Sequence, residues 1–142
     1  MNNILENKAI MLPIFSWFLA QSIKFISHYI QHHRLDFRKF VSSGGMPSSH
    51  SSTAVCLATV LGIEYGLDSG IFALATIFAF VVMADAAGVR RAAGKQAEVL
   101  NKLIYSTDVK VDKELKVLLG HTPMQVILGA ALGALVGIAF AK

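Results

Sequence analysis

The chain has 142 residues, 54% of them hydrophobic and 15% charged, with a formal net charge of +4 and a mean hydropathy of +0.56. Soluble domains carry about a quarter charged residues, so this balance excludes an ordinary soluble protein and predicts one membrane-embedded domain over residues 1–142. The positive charge does not imply nucleic acid: no stripe of basic and aromatic residues is present, and basic loops in a membrane protein report topology.

The first apolar stretch, Ala9 to Ser27, is of spanning length. It lacks the basic start and small-residue cleavage site of a removable signal, and Trp17 and Lys24 suit an interfacially anchored span. A basic loop, His28 to Lys39, follows. Ser42 to Ser52 is then a polar stretch with two glycines and Pro47, ending where a helix is predicted from Thr53 to Tyr65; including Pro47 to Ser52 brings that helix to spanning length. Cys56, the one cysteine, sits in an apolar setting that implies packing and excludes an intrachain disulfide.

Gly66 to Gly70 forms a tight turn, and a third helix runs from Ile71 to about Val89 with Asp85 near its end. From Arg90 to Gly120 the chain is charged. Within it the spacing of Ala97, Leu100, Leu103 and Ile104, and of Leu115, Leu118 and Leu119, predicts two amphipathic helices lying on the membrane or the bundle. The last span, Thr122 to Phe140, carries Gly129, Gly133 and Gly137 at every fourth position. Such a face suits close packing inside the chain and is compatible with a homo-oligomer. The predicted fold is therefore all-α: an integral membrane bundle of about four transmembrane helices, with one or two amphipathic helices in the third loop.

Both basic loops fall on one side of a four-span protein, and the positive-inside rule makes that side cytoplasmic in the cell membrane. That side also receives two polar helix entrances. At the first, glycines permit close backbone approach, serines cap the helix, and the first N–H groups with the helix dipole attract an anion such as phosphate, while His50 adds a proton carrier. At the second, His121 precedes the last span and Gln125 lies four residues on, close enough to orient its imidazole. Two histidines with Arg90 and Arg91 nearby fit phosphoryl transfer, which needs a nucleophile, a proton donor to the leaving oxygen and cations around the phosphate.

These motifs carry a resemblance. Pro47-Ser48-Ser49-His50 is similar to the Pro-Ser-Gly-His motif of the type-2 phosphatidic acid phosphatase and vanadium haloperoxidase superfamily, and His121 to Gly129 resembles its His-x-x-x-Asp-Val-x-x-Gly motif. The run from Asp85 to Asn101 resembles the signature of the small, divergent bacterial and plant branch. The resemblance implies that His121 is the nucleophile forming a phosphohistidine, that His50 is the acid for the leaving alkoxide, and that main-chain N–H groups of Ser48 and Ser49 hold phosphate. Arg90, Arg91, Lys39 and Lys95 are the candidate cations. Gln125 takes the position of the orienting Asp, so Asp85 is the candidate to support the imidazole instead. The superfamily's first motif, a Lys followed after six residues by Arg-Pro, is absent. No cofactor or metal is implied.

The expected activity is dephosphorylation of a membrane lipid phosphate, with phosphatidylglycerophosphate fitting a cytoplasmic site and undecaprenyl pyrophosphate an outward one. A non-catalytic lipid-phosphate binder is the alternative. A transporter is disfavoured, because ionisable groups lie near span ends rather than at the midplane.

Overall fold

The structure, a computed structural model, describes residues 4–33, 45–106, 115 and 120–141. After a short 3-10 turn at Ile4–Glu6, its α-helices are α1 (Lys8–His32), α2 (Ser49–Tyr65), α3 (Gly70–Ala87), α4 (Val89–Ser106) and α5 (Pro123–Phe140). The protein is an all-α membrane helical bundle. Helices α1 and α5, and the run from α3 into α4, are long and apolar enough to cross a bilayer. With 17 residues, α2 stands at the lower edge of spanning length.

Serine-rich α2 is the centre of the bundle. It packs on α1, α3 and α5 more extensively than any of these pack on one another. Alanines make the α2–α3 contact: Ala54, Ala58, Ala75 and Ala79 are buried together with Leu61. Against α5 the spacing is closer still. A Cβ at Gly129 would collide with the Ser48 carbonyl, one at Gly133 with the Ser52 carbonyl, and one at Gly137 would come within 2.7 Å of the Thr59 side chain. The glycine stripe thus packs inside the chain, and any larger residue would force α5 off α2. On the α1 side, the Ser16 and Ser52 hydroxyls hydrogen-bond at 2.6 Å, satisfying two polar groups buried among apolar residues.

Helix ends follow from local chemistry. The Ser69 hydroxyl accepts the Phe72 N–H at 3.3 Å and caps α3. Gly66, at φ +90°, ends α2. Two boundaries differ from expectation. α1 continues five residues past Ser27, placing His28 and His32 in its last turns, because no breaker intervenes before His33 adopts the left-handed conformation. The charged stretch also starts as helix, since only Gly88 separates α3 from α4. The predicted amphipathic helix at Ala97 to Ile104 is α4; the one at Leu115 to Leu119 lies outside the described residues, apart from Leu115.

Up-and-down connectivity gathers the end of α1, the start of α2, the end of α3 and the start of α5 at one end of the bundle. Three links tie them: Lys24 Nζ to Ser49 Oγ at 3.2 Å, the Ser48 N–H to the Gln125 carbonyl, and the His121 N–H to the Ala86 carbonyl, both at 2.9 Å. At the opposite end Lys8 Nζ donates to the Ala141 carbonyl at 2.9 Å, closing the last turn of α5.

Candidate functional site

The entrance to α5 is a complete capping box. Thr122 Oγ1 accepts the Gln125 N–H at 3.4 Å, and Gln125 Oε1 accepts the Thr122 N–H at 3.0 Å. A backbone N–H can only donate, so the amide atom facing it must be oxygen. The same Oε1 lies 3.3 Å from His121 Nδ1. An acceptor there requires hydrogen on Nδ1, and the neutral ring then holds its lone pair on Nε2. His121 is 2% exposed, and its Nε2 is buried without a hydrogen-bond partner among the described residues. Gly120 makes this placement feasible: at φ +92° it passes over the first turn of α4, where a Cβ would collide with the backbone of Arg90 and Arg91. Burial lowers the pKa of His121 below its ordinary 6.5. The Gln125 hydrogen bond opposes that shift, while the charges of Lys24, His50 and Arg90 add to it.

At the entrance to α2 the serines bond one another. Ser48 Oγ accepts the Ser51 N–H at 3.3 Å and the Ser51 hydroxyl at 3.0 Å. Helix geometry leaves the N–H groups of Ser49 and His50 without acceptors inside the helix. The half-buried His50 ring stands 6.0 Å from that of His121, centre to centre, at an interplanar angle of 60°. His50 Nδ1 also has no partner among the described residues. At this separation the two rings can border one tetrahedral anion, with a hydrogen bond of about 3 Å to each.

One cation at this end is not singled out for the site by the sequence. Lys24, which the position near the end of an apolar helix marks as an interfacial anchor, is instead 6% exposed, with its ammonium on the Ser49 hydroxyl. No carboxylate pairs with it among the described residues. A buried ammonium without a counter-charge is costly, and an anion beside Ser49 and the two imidazoles would supply one. The signal was present in the spacing: Ser16, Ala20 and Lys24 share one helical face, and all three are buried.

Arg90 and Asp85 also reach this end of the bundle. Arg90 Nε donates to Asp85 Oδ2 at 2.7 Å, so Asp85 braces the arginine, and among the described residues no hydrogen bond joins it to an imidazole. The charges acting on the two histidines are those of Lys24, Arg90 and, at His50, Asp85. Arg91 and Lys95 are not among them; both are exposed, and Lys95 borders a separate surface depression with Gln96, Val99 and Leu100. Ser48 does not offer its N–H to a ligand, because that group is bound to the Gln125 carbonyl. Lys39 lies outside the described residues, as do Arg34 and Arg38. Among the described residues no three His, Cys, Asp or Glu side chains cluster.

No solved structure matches this chain. It is 38% identical to the uncharacterized membrane protein YuiD of Bacillus subtilis (strain 168), over 97% of this chain and 96% of that protein. The model of the divergent PAP2 family matches residues 5–136, a range that takes in both histidine entrances and all five helices but for the last turn of α5. With the motifs at Pro47 to His50, Asp85 to Asn101 and His121 to Gly129 all inside that match, the chain belongs to the divergent PAP2 family, a PAP2-related group of membrane proteins.

Proposed function

We propose that the chain acts as one membrane-embedded unit that hydrolyses a lipid phosphomonoester through a phosphohistidine. The observation that carries this reading is a convergence of unsatisfied groups: the buried Lys24 ammonium, His121 Nε2 and His50 Nδ1 all lie at the one bundle end. A tetrahedral anion supplies what each lacks, a counter-charge to Lys24 and acceptors for a protonated His50 and the free first-turn N–H groups of α2.

In the proposed reaction the lone pair of neutral His121 Nε2 attacks phosphorus while the bond to the alkyl oxygen breaks. Protonated His50 delivers its proton to that leaving oxygen and becomes neutral. Neutral His50 then takes a proton from water, which attacks the phosphohistidine; the P–N bond breaks, and Nε2 regains its lone pair as phosphate leaves. Throughout, Nδ1–H stays on Gln125 Oε1, so the positive ring of the intermediate is stabilised by an amide dipole. Lys24 and Arg90 offset charge on the phosphoryl oxygens.

A headgroup can reach such a site while its chains remain in the bilayer. The basic residues at this end of the bundle favour a cytoplasmic orientation, and phosphatidylglycerophosphate is the substrate proposed on that footing. A second reading, a lipid-phosphate binder without turnover, is favoured by Gln125, since a neutral amide supports an imidazolium less than a carboxylate does. The deciding experiment incubates purified protein with labelled lipid phosphates, measures phosphate release, and traps the acid-labile phosphoenzyme by a rapid alkaline quench. Turnover with label on His121 is expected. Tight binding without release would establish the second reading.

A further inference from the structure

Helix α4 carries three stripes at alternating steps of four and three residues. Arg90, Gly94, Ala97, Asn101 and Ile104 form the first. Gly94, Ala97 and Asn101 are buried, and the Asn101 side chain exchanges two hydrogen bonds with the backbone of Leu115, at 2.9 and 3.0 Å. This stripe faces the protein and begins with Arg90 beside the imidazole pair. The second stripe, Val89, Ala93, Gln96 and Leu100, is mostly apolar yet faces outward: Val89 is 68% exposed, Leu100 48%, and the adjoining Val99 57%. The third, Arg91, Lys95, Glu98 and Lys102, is charged and exposed. Glu98 pairs with Lys102 at 2.9 Å, leaving Arg91 and Lys95 as net positive charge.

We propose that α4 is seated in the headgroup layer of an anionic leaflet, with Val89, Val99 and Leu100 in the acyl boundary and Arg91 and Lys95 on lipid phosphates. Three observations select this occupant. Only Gly88 separates α4 from the membrane-crossing α3, so its first turn starts at the bilayer surface. The outward apolar stripe runs beside a net cationic one, the pattern of an interfacial helix. Between the two lies an open depression of about 430 Å³ lined by Lys95, Gln96, Val99 and Leu100, which sets one ammonium over apolar walls as a lipid headgroup and its first methylenes require. Because the protein-facing stripe starts at Arg90, seating the helix also fixes that arginine at the anion site. This last consequence alone rests on the phosphatase reading.

The test uses the full chain with Cys56→Ala and a single cysteine in place of Leu100, Val99 or Glu98, labelled with a polarity-sensitive fluorophore. It is placed in nanodiscs of phosphatidylcholine alone or mixed with phosphatidylglycerol. With the anionic lipid, labels at positions 99 and 100 are expected to shift to the blue and to be quenched by shallow spin-labelled lipids, while the label at 98 stays open to aqueous iodide. Replacing Arg91 and Lys95 by Gln should lower the ratio of seated to unseated helix by about fivefold for each charge. Equal spectra in both lipids, or equal iodide quenching at 98 and 100, overturns the proposal. Turnover of a nitrophenyl phosphate should rise with the anionic fraction, and turnover indifferent to it overturns the link to Arg90. Absence of any turnover counts against the phosphatase reading and leaves the fluorescence result to decide the seating.

Discussion

The two histidine entrances use the same ingredients for opposite ends. At α5 the capping residues turn inward to the imidazole: Gln125 closes the box with Thr122 and holds His121 Nδ1, so the ring is fixed and its other nitrogen is bare. At α2 the capping hydroxyls of Ser48 and Ser51 bond each other and leave the His50 ring unclamped. A nucleophile gains from fixation, because attack needs a near-linear approach at short range. A proton carrier gains from freedom, because it must serve a leaving oxygen in one step and water in the next. The difference in how the two rings are held is thus the physical basis for the proposed division of labour between them.

The most severe way to break this division is His121→Ala. No phosphoenzyme can form, and turnover should fall to background, about a thousandfold or more, on every substrate. Retention of a tenth of the activity would remove His121 from the chemistry. His50→Ala should cost about 10²- to 10⁴-fold on a lipid phosphate but much less on a nitrophenyl phosphate, whose leaving group needs little protonation. Equal losses on both substrates would show that the roles are misassigned. Lys24→Met keeps the stem and removes the charge; a loss of about a hundredfold with weaker product inhibition by phosphate is expected. Unchanged phosphate inhibition would return Lys24 to a purely structural place.

The smallest effect sharpens the comparison most. Gln125→Glu preserves the capping box and supplies a carboxylate, so turnover at mildly alkaline pH should equal or exceed that of the parent. The pH profile carries the sign. In the parent, burial lowers the pKa of His121 from its ordinary 6.5, so the ring stays neutral to a lower pH than an ordinary imidazole. A carboxylate at position 125 favours the charged ring, and the acid limb of kcat/KM should move to higher pH. A limb that stays in place, measured from about pH 5 to 9 on the same substrate for both proteins, would mean that it reports another group.

Much of this architecture is legible in the chain itself. Long apolar runs mark the spans, and the four-residue spacing of Gly129, Gly133 and Gly137 marks the face that receives α2. The relation of His121 to Gln125 follows from one helical turn. Other features depend on contacts that no local pattern encodes. A lysine near the end of an apolar helix reads the same whether it reaches for headgroups or turns inward, and only the arrival of Ser49 across the α1–α2 seam shows which Lys24 does. Arg90 and Arg91 are indistinguishable by composition, yet adjacent positions on a helix diverge by about 100°, and only one of them meets Asp85. The Ser48 N–H looks available to an anion until the Gln125 carbonyl is brought against it by the glycine-backed approach of α5.

That last hydrogen bond has a mechanical consequence. Joined by the Ser48 N–H to the Gln125 carbonyl, and with Gly129, Gly133 and Gly137 of α5 set directly against α2, these two helices pack as a single beam whose top edge carries both imidazoles. Bilayers differ by several ångströms in thickness, and spans answer by tilting. In this protein the beam must tilt as one piece, so the distance between the two rings is insulated from the thickness of the membrane that holds it.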